Sequence, residues 1–348
     1  MDRLKTFRLG LDVLRVLALV LVVITHSIVL TGSYTYSAPT FSWILTMALF
    51  YLSHSCVPLF LLLSGYLSGK KQLRVSYYRG LLRVLVPYVV ISILCVLDAW
   101  LRQHDPGLKI TTAIYQILSY RANGYGWYVE MYLGLFLLIL FLNLAYDAIV
   151  DQRWKSVLLG SLALLTLLPD TFSAFGTNQV RADILPDYFN LCYPITYYLL
   201  GRWIHEHEGR LTKKLGLILF AAGWLTPLGL CIFRSVRSGA YAGGYTLNTF
   251  GCLPTALCAT GIFLLLFQQN GCSRLHIPIR KMSAVSFEAY LCSYLTDSIF
   301  YSYLKLPFPL MAVLSLCSAL GLAALIHLVT QPIISGLQTQ FDKLARQT

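Results

Sequence analysis

Arg8 to Thr31 reads RLGLDVLRVLALVLVVITHSIVLT. The run is long and apolar enough for a helix to cross the roughly 30 Å hydrocarbon layer of a bilayer. It also carries Asp12, Arg15 and His26, and ionisable side chains are costly in lipid unless they have a partner, a wet cavity or a task. At about 100° per residue, the eleven steps from Arg15 to His26 complete three turns with roughly 20° left over. The two side chains therefore share a face, about 16 Å apart along the axis. Asp12 stands three residues before Arg15 on the same stripe, within pairing reach. The helix is an apolar cylinder with one polar line.

The rest of the chain has the same solvent in mind. Its 348 residues are 57% hydrophobic and only 12% charged, against about 25% charged in an ordinary soluble domain. The expected fold class is all-α: a polytopic membrane protein of about ten helices, spanning residues 9–31, 41–68, 80–101, 125–146, 155–170, 188–204, 213–233, 245–268, 281–304 and 309–336. The first run is too long for a cleavable signal and lacks a small-residue cleavage site. One membrane domain over residues 1–348 is expected, with no appended soluble domain.

A net charge of +12 suggests nucleic acid only until the charges are placed. Twenty of the 27 Lys and Arg residues fall on one side of that span pattern. They include Arg3, Lys5, Arg8 and Arg15, the run Lys70 to Arg83, Arg153, Lys155, Arg202, Arg210 and Arg274 to Lys281, with Lys343 and Arg346. Arg102, Lys109, Arg121, Arg181, Arg234, Arg237 and Lys305 fall on the other. Basic loops face the cytosol, so both termini are expected there, and the multi-pass chain belongs in the plasma membrane with lipids rather than nucleic acid as surroundings. The opposite loops, such as GSYTYSAPT and SGAYAGGYTLN, are rich in Tyr and Gly. They suit either an aromatic belt or a wet surface for sugars.

Nine cysteines show no CxxC and no Cys/His spacing of a metal site. Cys272 and the others read as small buried hydrophobes. His205 and His207, in HEHEGR, read as a solvated loop, so no metal is expected.

The second span closes with VPLFLLLSGYLSGKK, Val57 to Lys71. Pro58 is expected to kink it, and Gly65, between Ser64 and Tyr66, lets another backbone come close. The cations that follow, Lys70, Lys71, Arg74, Arg79 and Arg83, are either topogenic or a cradle for phosphates. Glu130 lies just inside the fourth span and wants a partner: His26, an arginine or a substrate hydroxyl. His54, Glu288 and Asp297 are further intramembrane candidates.

With these motifs in view, the chain resembles the acyltransferase-3 family of integral membrane acyltransferases. The Arg15 to His26 spacing within LDVLRVLALVLVVITHS resembles its opening signature, and VPLFLLLSGYL its second-helix motif. RVLVPY, GWYVEMYLGLF and YYLLGRWIHEH are similar to later helices. Where many members carry a His after YL in the ninth helix, this chain reads Tyr290-Leu291-Cys292-Ser293. The resemblance implies transfer of an acyl group, usually acetyl, from cytosolic acetyl-CoA or another acyl-CoA to a hydroxyl on an envelope glycan or lipid-linked sugar. It makes His26, whose unperturbed pKa of about 6.5 suits a general base, and Glu130 the catalytic candidates. Asp12, Arg15, Ser64, Tyr66, Arg74 and Arg83 become candidates for holding acyl-CoA, whose extended pantetheine arm matches the Arg15 to His26 rise. An acyl-His intermediate is the alternative to direct attack. Two rivals compete: a transporter of a small polar solute such as an amino acid, and a non-catalytic partner in glycan export. Oligomeric state is not written in these patterns.

Overall fold

The computed structural model describes residues 9–35, 40–69, 71–72, 74–103, 109–173, 185–239, 241, 247, 249–269 and 276–344. Arg3, Lys5, Arg8, Lys70, Arg181, Cys272, Arg274 and Arg346, discussed above, lie outside them, as do parts of both Tyr-rich loops.

The apolar runs fold as helices, and among the described residues there is no strand. Helix α1 spans Leu9–Leu30 with Asp12 in its first turn, where the helix dipole favours an acid. Gly32 ends it at φ +64°, and Ser33 N donates to Ile28 O at 3.1 Å while Gly32 N donates to Val29 O at 3.1 Å. This paired closure satisfies carbonyls the helix would otherwise orphan, and its left-handed residue favours glycine.

The second expected span is two helices, α2 (Phe41–Ser53) and α3 (Cys56–Ser68). The expected kink at Pro58 sits elsewhere: the break falls at His54–Ser55. A proline ring clashes with the carbonyl four residues earlier, which here belongs to His54, so Pro58 is left in the first turn of a new helix.

Next come a 3₁₀ segment Val75–Leu81, α4 (Leu82–Gln103), α5 (Ile110–Leu118), α6 (Trp127–Ala148), α7 (Gln152–Thr166) and α8 (Leu168–Ser173). They are followed by α9 (Tyr193–Glu206), α10 (Lys213–Ser238), α11 (Leu253–Leu266), α12 (His276–Ala284), α13 (Ser286–Tyr303) and α14 (Phe308–Leu344). Each expected span contains helix, but among the described residues seven are long and apolar enough to cross a membrane. Helices α9 and α11 have 14 residues each, about 21 Å of rise, which is short of the bilayer core. Helix α13 carries Glu288 and Asp297 among hydroxyl side chains.

The chain divides into two compact units. The first comprises the described residues of Met1–Lys70, Leu142–Ser283 and Pro307–Pro309. Glycines set its packing. A Cβ on Gly65 would stand 1.8 Å from Tyr198 O, and one on Gly201 2.2 Å from Leu62 O, so α3 and α9 touch backbone to backbone. Gly223 and Gly261 do the same for α10 and α11, and Gly10 brings α1 against the end of α11. The short α11 is buried along most of its length, as expected of a helix apolar all round.

The second unit holds Lys71–Phe141, Ala284–Leu306 and Leu310–Thr348. Asn123 Nδ2 donates to Leu291 O at 2.9 Å, and Tyr88 OH to Ile117 O at 2.6 Å. Gly124 lies against the Tyr294 ring.

Candidate functional site

In the first unit, the polar line of α1 meets partners at both of its ends. Arg15 Nη1 lies 3.6 Å from Asp12 Oδ1. Ser283 of α12 bridges the pair: Arg15 Nη1 donates to Ser283 Oγ at 3.0 Å, and that hydroxyl donates to Asp12 Oδ1 at 2.5 Å. Arg15 stays half-buried, with guanidinium donors beyond those this pair engages.

Eleven residues along, His26 is half-buried on the same helix. Its neighbour Thr25 donates through Oγ1 to Ser53 Oγ at 2.7 Å, joining α1 to the end of α2. One residue further stands His54, 7% exposed and within electrostatic reach of His26. The His54 ring lies edge-on to Phe50, centroids 4.5 Å apart, and 6.0 Å from Phe250. The outer aromatics close together nearby: Tyr34 meets Tyr241 at 5.4 Å, and Trp43 Nε1 donates to Tyr34 O at 2.9 Å. Burial raises the Tyr241 hydroxyl above its ordinary pKa. These rings of the Tyr-rich loops pack on one another.

Ser64 Oγ is turned to its own helix, donating to Phe60 O at 2.9 Å. Tyr66 is 4% exposed and donates to Glu208 Oε1 at 2.5 Å, with His205 edge-on at 4.9 Å. The expected loop is therefore only partly one: His205 and Glu206 finish α9, while His207 to Arg210 form the turn after it, with Gly209 and Arg210 exposed.

An ionic network joins α6, α7 and α9, and it uses Lys155 and Arg202, which in sequence read only as basic residues of the inner side. They are 6% and 5% exposed. Arg202 Nη1 donates to Asn143 Oδ1 at 2.8 Å and Nη2 donates to Asp147. Lys155 Nζ donates to Glu206 Oε2 at 2.9 Å. The Tyr146 ring sits against both cations, 4.4 Å from Lys155 Nζ and 4.6 Å from Arg202 Cζ. A signal was present: Asn143/Asp147 and Arg202/Glu206 are both four residues apart, so each pair shares a helix face.

In the second unit, Arg74 and Arg83 are exposed, and Arg74 Nη2 reaches Gln72 Oε1 at 3.3 Å. Lys71 Nζ lies 5.2 Å from the Tyr77 ring. Partial desolvation first, and then the charge of Arg83, lowers the Lys71 ammonium from the ordinary lysine value. This crowding of like charge suits an anion. Arg79 is taken by Asp342 at 2.6 Å. Glu130 is exposed in the first turn of α6, and among the described residues no side chain hydrogen-bonds to it. It belongs to the second unit and His26 to the first.

Two buried acids of α13 do find partners. Asp297 accepts from Tyr125 OH at 2.7 Å and from Ser315 Oγ at 2.5 Å. Glu288 Oε1 meets His327 Nδ1 at 2.8 Å. The sequence reading passed over His327, a single imidazole in the apolar AALIHLVT stretch of α14.

The described cysteines are free thiols, buried except for half-buried Cys192 and exposed Cys317. Among the described residues, no group of three or more His, Cys, Asp or Glu side chains is gathered as for a metal ion.

The polar line of the first helix carries the family resemblance, and comparison with family models tests it. The acyltransferase domain model of the acyltransferase-3 family matches residues 8–328. The chain belongs to that family and is a multi-pass membrane acyltransferase. No curated protein and no solved structure matches it.

Proposed function

We propose that the protein moves an acyl group, acetyl in the first instance, from cytosolic acyl-CoA to a hydroxyl of an envelope glycan or lipid-linked sugar at the plasma membrane. The observation that carries this reading is α1. In a chain of an acyltransferase family, one apolar helix holds the Asp12–Arg15 pair near its start and His26 about 16 Å further along. Neutral His26 takes the hydroxyl proton as the oxygen attacks the thioester carbonyl. The C–S bond breaks, and the departing thiolate recovers a proton from the imidazolium, so the base is regenerated. Arg15 contributes to holding acyl-CoA, directly or by keeping the inner end of α1 in shape. Arg74, Arg83 and Lys71 offer charge for phosphates. Asp12 acts on Arg15. Ser64 and Tyr66 shape the α3 wall, and Glu130 contributes a carboxylate toward an acceptor.

Both termini face the cytosol in this reading, and the α1–α2 loop faces outward. Thr35→Cys in intact cells should react with a membrane-impermeant maleimide above the background of the parent. Labelling only after the cells are permeabilised would reverse the orientation.

The test of the reaction is release of CoA thiol from acetyl-CoA in the presence of envelope vesicles. His26→Gln keeps the shape but cannot take the proton, so transfer should fall by about 10² to 10⁴ while acyl-CoA binding persists. Retention of more than about a tenth of the parental rate would make His26 structural. Acyl label that remains on denatured parent protein, and is lost in His26→Gln, would replace direct transfer by an acyl-His route.

A further inference from the structure

We propose that the last turns of α14 are a strap that competes with acyl-CoA for Arg79. The Asp342 carboxylate holds the guanidinium that a phosphate of the donor would take, and acyl-CoA displaces it. The inference rests on the acyl-CoA reading above.

Helix α14 has 37 residues, a rise of about 55 Å against a hydrocarbon layer of about 30 Å. Several turns are therefore left over, and they lie along the 3₁₀ segment Val75–Leu81. Gln338 Nε2 donates to Arg79 O at 3.3 Å, and Arg79 Nη1 donates to Asp342 Oδ2 at 2.6 Å. Gln338 and Asp342 are four positions apart and share a helix face. Both grip one residue, and that residue is a cation of the basic run.

Arg79 differs from its neighbours in that run. The Leu82 N–H bonds to the Arg79 and Gly80 carbonyls, so the 3₁₀ segment passes into α4 without a break. Arg79 and Arg83, four positions apart, leave that continuous helix on about the same side. Arg74, Arg79 and Arg83 are all exposed. Among the described residues, only Arg79 of the three has a carboxylate partner.

The bland account is a surface ion pair that docks a helix end. With side chains 45% and 39% exposed, such a pair stabilises a fold little. It does change what Arg79 can offer. A guanidinium grips a phosphate best through two parallel N–H donors. Here Nη1 is committed, and a carboxylate charge stands beside it to repel a second anion. A phosphate of acyl-CoA brings more oxygens to the same fork, and the exposure of the pair makes Asp342 cheap to displace. Once Asp342 and Gln338 let go, the end of α14 loses its support and frays more readily.

Calorimetric titration with acetyl-CoA tests the competition. Asp342→Asn keeps the shape and removes the charge, so it should tighten binding about 2- to 5-fold, the scale of one exposed ion pair. Arg79→Gln should weaken binding, and adding Asp342→Asn to it should change nothing further, because both act on one guanidinium. In the parent, acetyl-CoA should speed hydrogen exchange of the amides from Ser335 to Lys343. Unchanged or weaker binding in Asp342→Asn, or an equal gain with Arg79→Gln in place, overturns the inference while a parent that binds leaves the reading standing. Unchanged or slower exchange in the parent overturns it without any variant. A parent that binds no acetyl-CoA overturns both.

Discussion

The cations of the α6–α7–α9 network and the His54 imidazole at the α1–α2 junction are both buried in apolar protein, yet they are held differently. Arg202 and Lys155 each face a carboxylate, Asp147 and Glu206. His54 is held by a backbone carbonyl and two phenyl rings. A buried charge neutralised on the spot stabilises the fold and has little left to offer a substrate. An imidazole held by neutral groups can change protonation without breaking an ion pair. On the proposed reading, that difference separates scaffold from chemistry in a chain where both kinds of residue look equally out of place.

Removing one partner of the network should have the largest effect on stability. Arg202→Ala removes the charged donor to the Asn143 backbone oxygen and Oδ1, although Asp147 is 62% exposed and Asn143 Oδ1 keeps the Tyr198 hydroxyl, so the loss should be about 1.5–3 kcal/mol. Thermal unfolding in detergent should show a large fall in Tm. A variant with parental Tm would place Arg202 with the functional groups instead. Lys155→Met, which keeps the length and removes the charge, should cost less, and any protein that still folds should keep its specific activity.

A smaller effect sharpens the same comparison at the inner end of α1. Arg15 pairs with Asp12 yet is half-buried and retains donors for a ligand. Arg15→Lys keeps the charge but loses the forked geometry. It should weaken acetyl-CoA binding several-fold in a calorimetric titration, with Tm little changed. Unchanged affinity in a folded Arg15→Ala variant would move Arg15 to the scaffold side.

How far the sequence could be read follows from the range of each interaction. The course of α1 and the Asp12–Arg15 pair were legible because both depend on spacing within one helix. The close approach at Gly65 was legible as a possibility, since a missing Cβ announces room, but its occupant Tyr198 was not. Lys155 and Glu206 are 51 positions apart, and Glu288 and His327 are 39 apart. No local pattern joins them, so Lys155 and Arg202 read only as inner-side basic charge and His327 carries no signal. The break at His54 was misplaced by four residues for a simpler reason: the proline is visible in the sequence, while the carbonyl it displaces is one turn back.

The Ser283 bridge at the start of α1 also has a meaning in time. Ser283 follows Asp12 by 271 positions. At roughly 5–20 residues per second, the ribosome needs about 14 to 54 s to supply that hydroxyl after α1 has emerged. During this interval the first helix waits in the bilayer with its acid and its base already made. The i,i+3 pairing of Asp12 with Arg15 requires no later segment, so the newborn helix carries its own neutralising partner until α12 arrives.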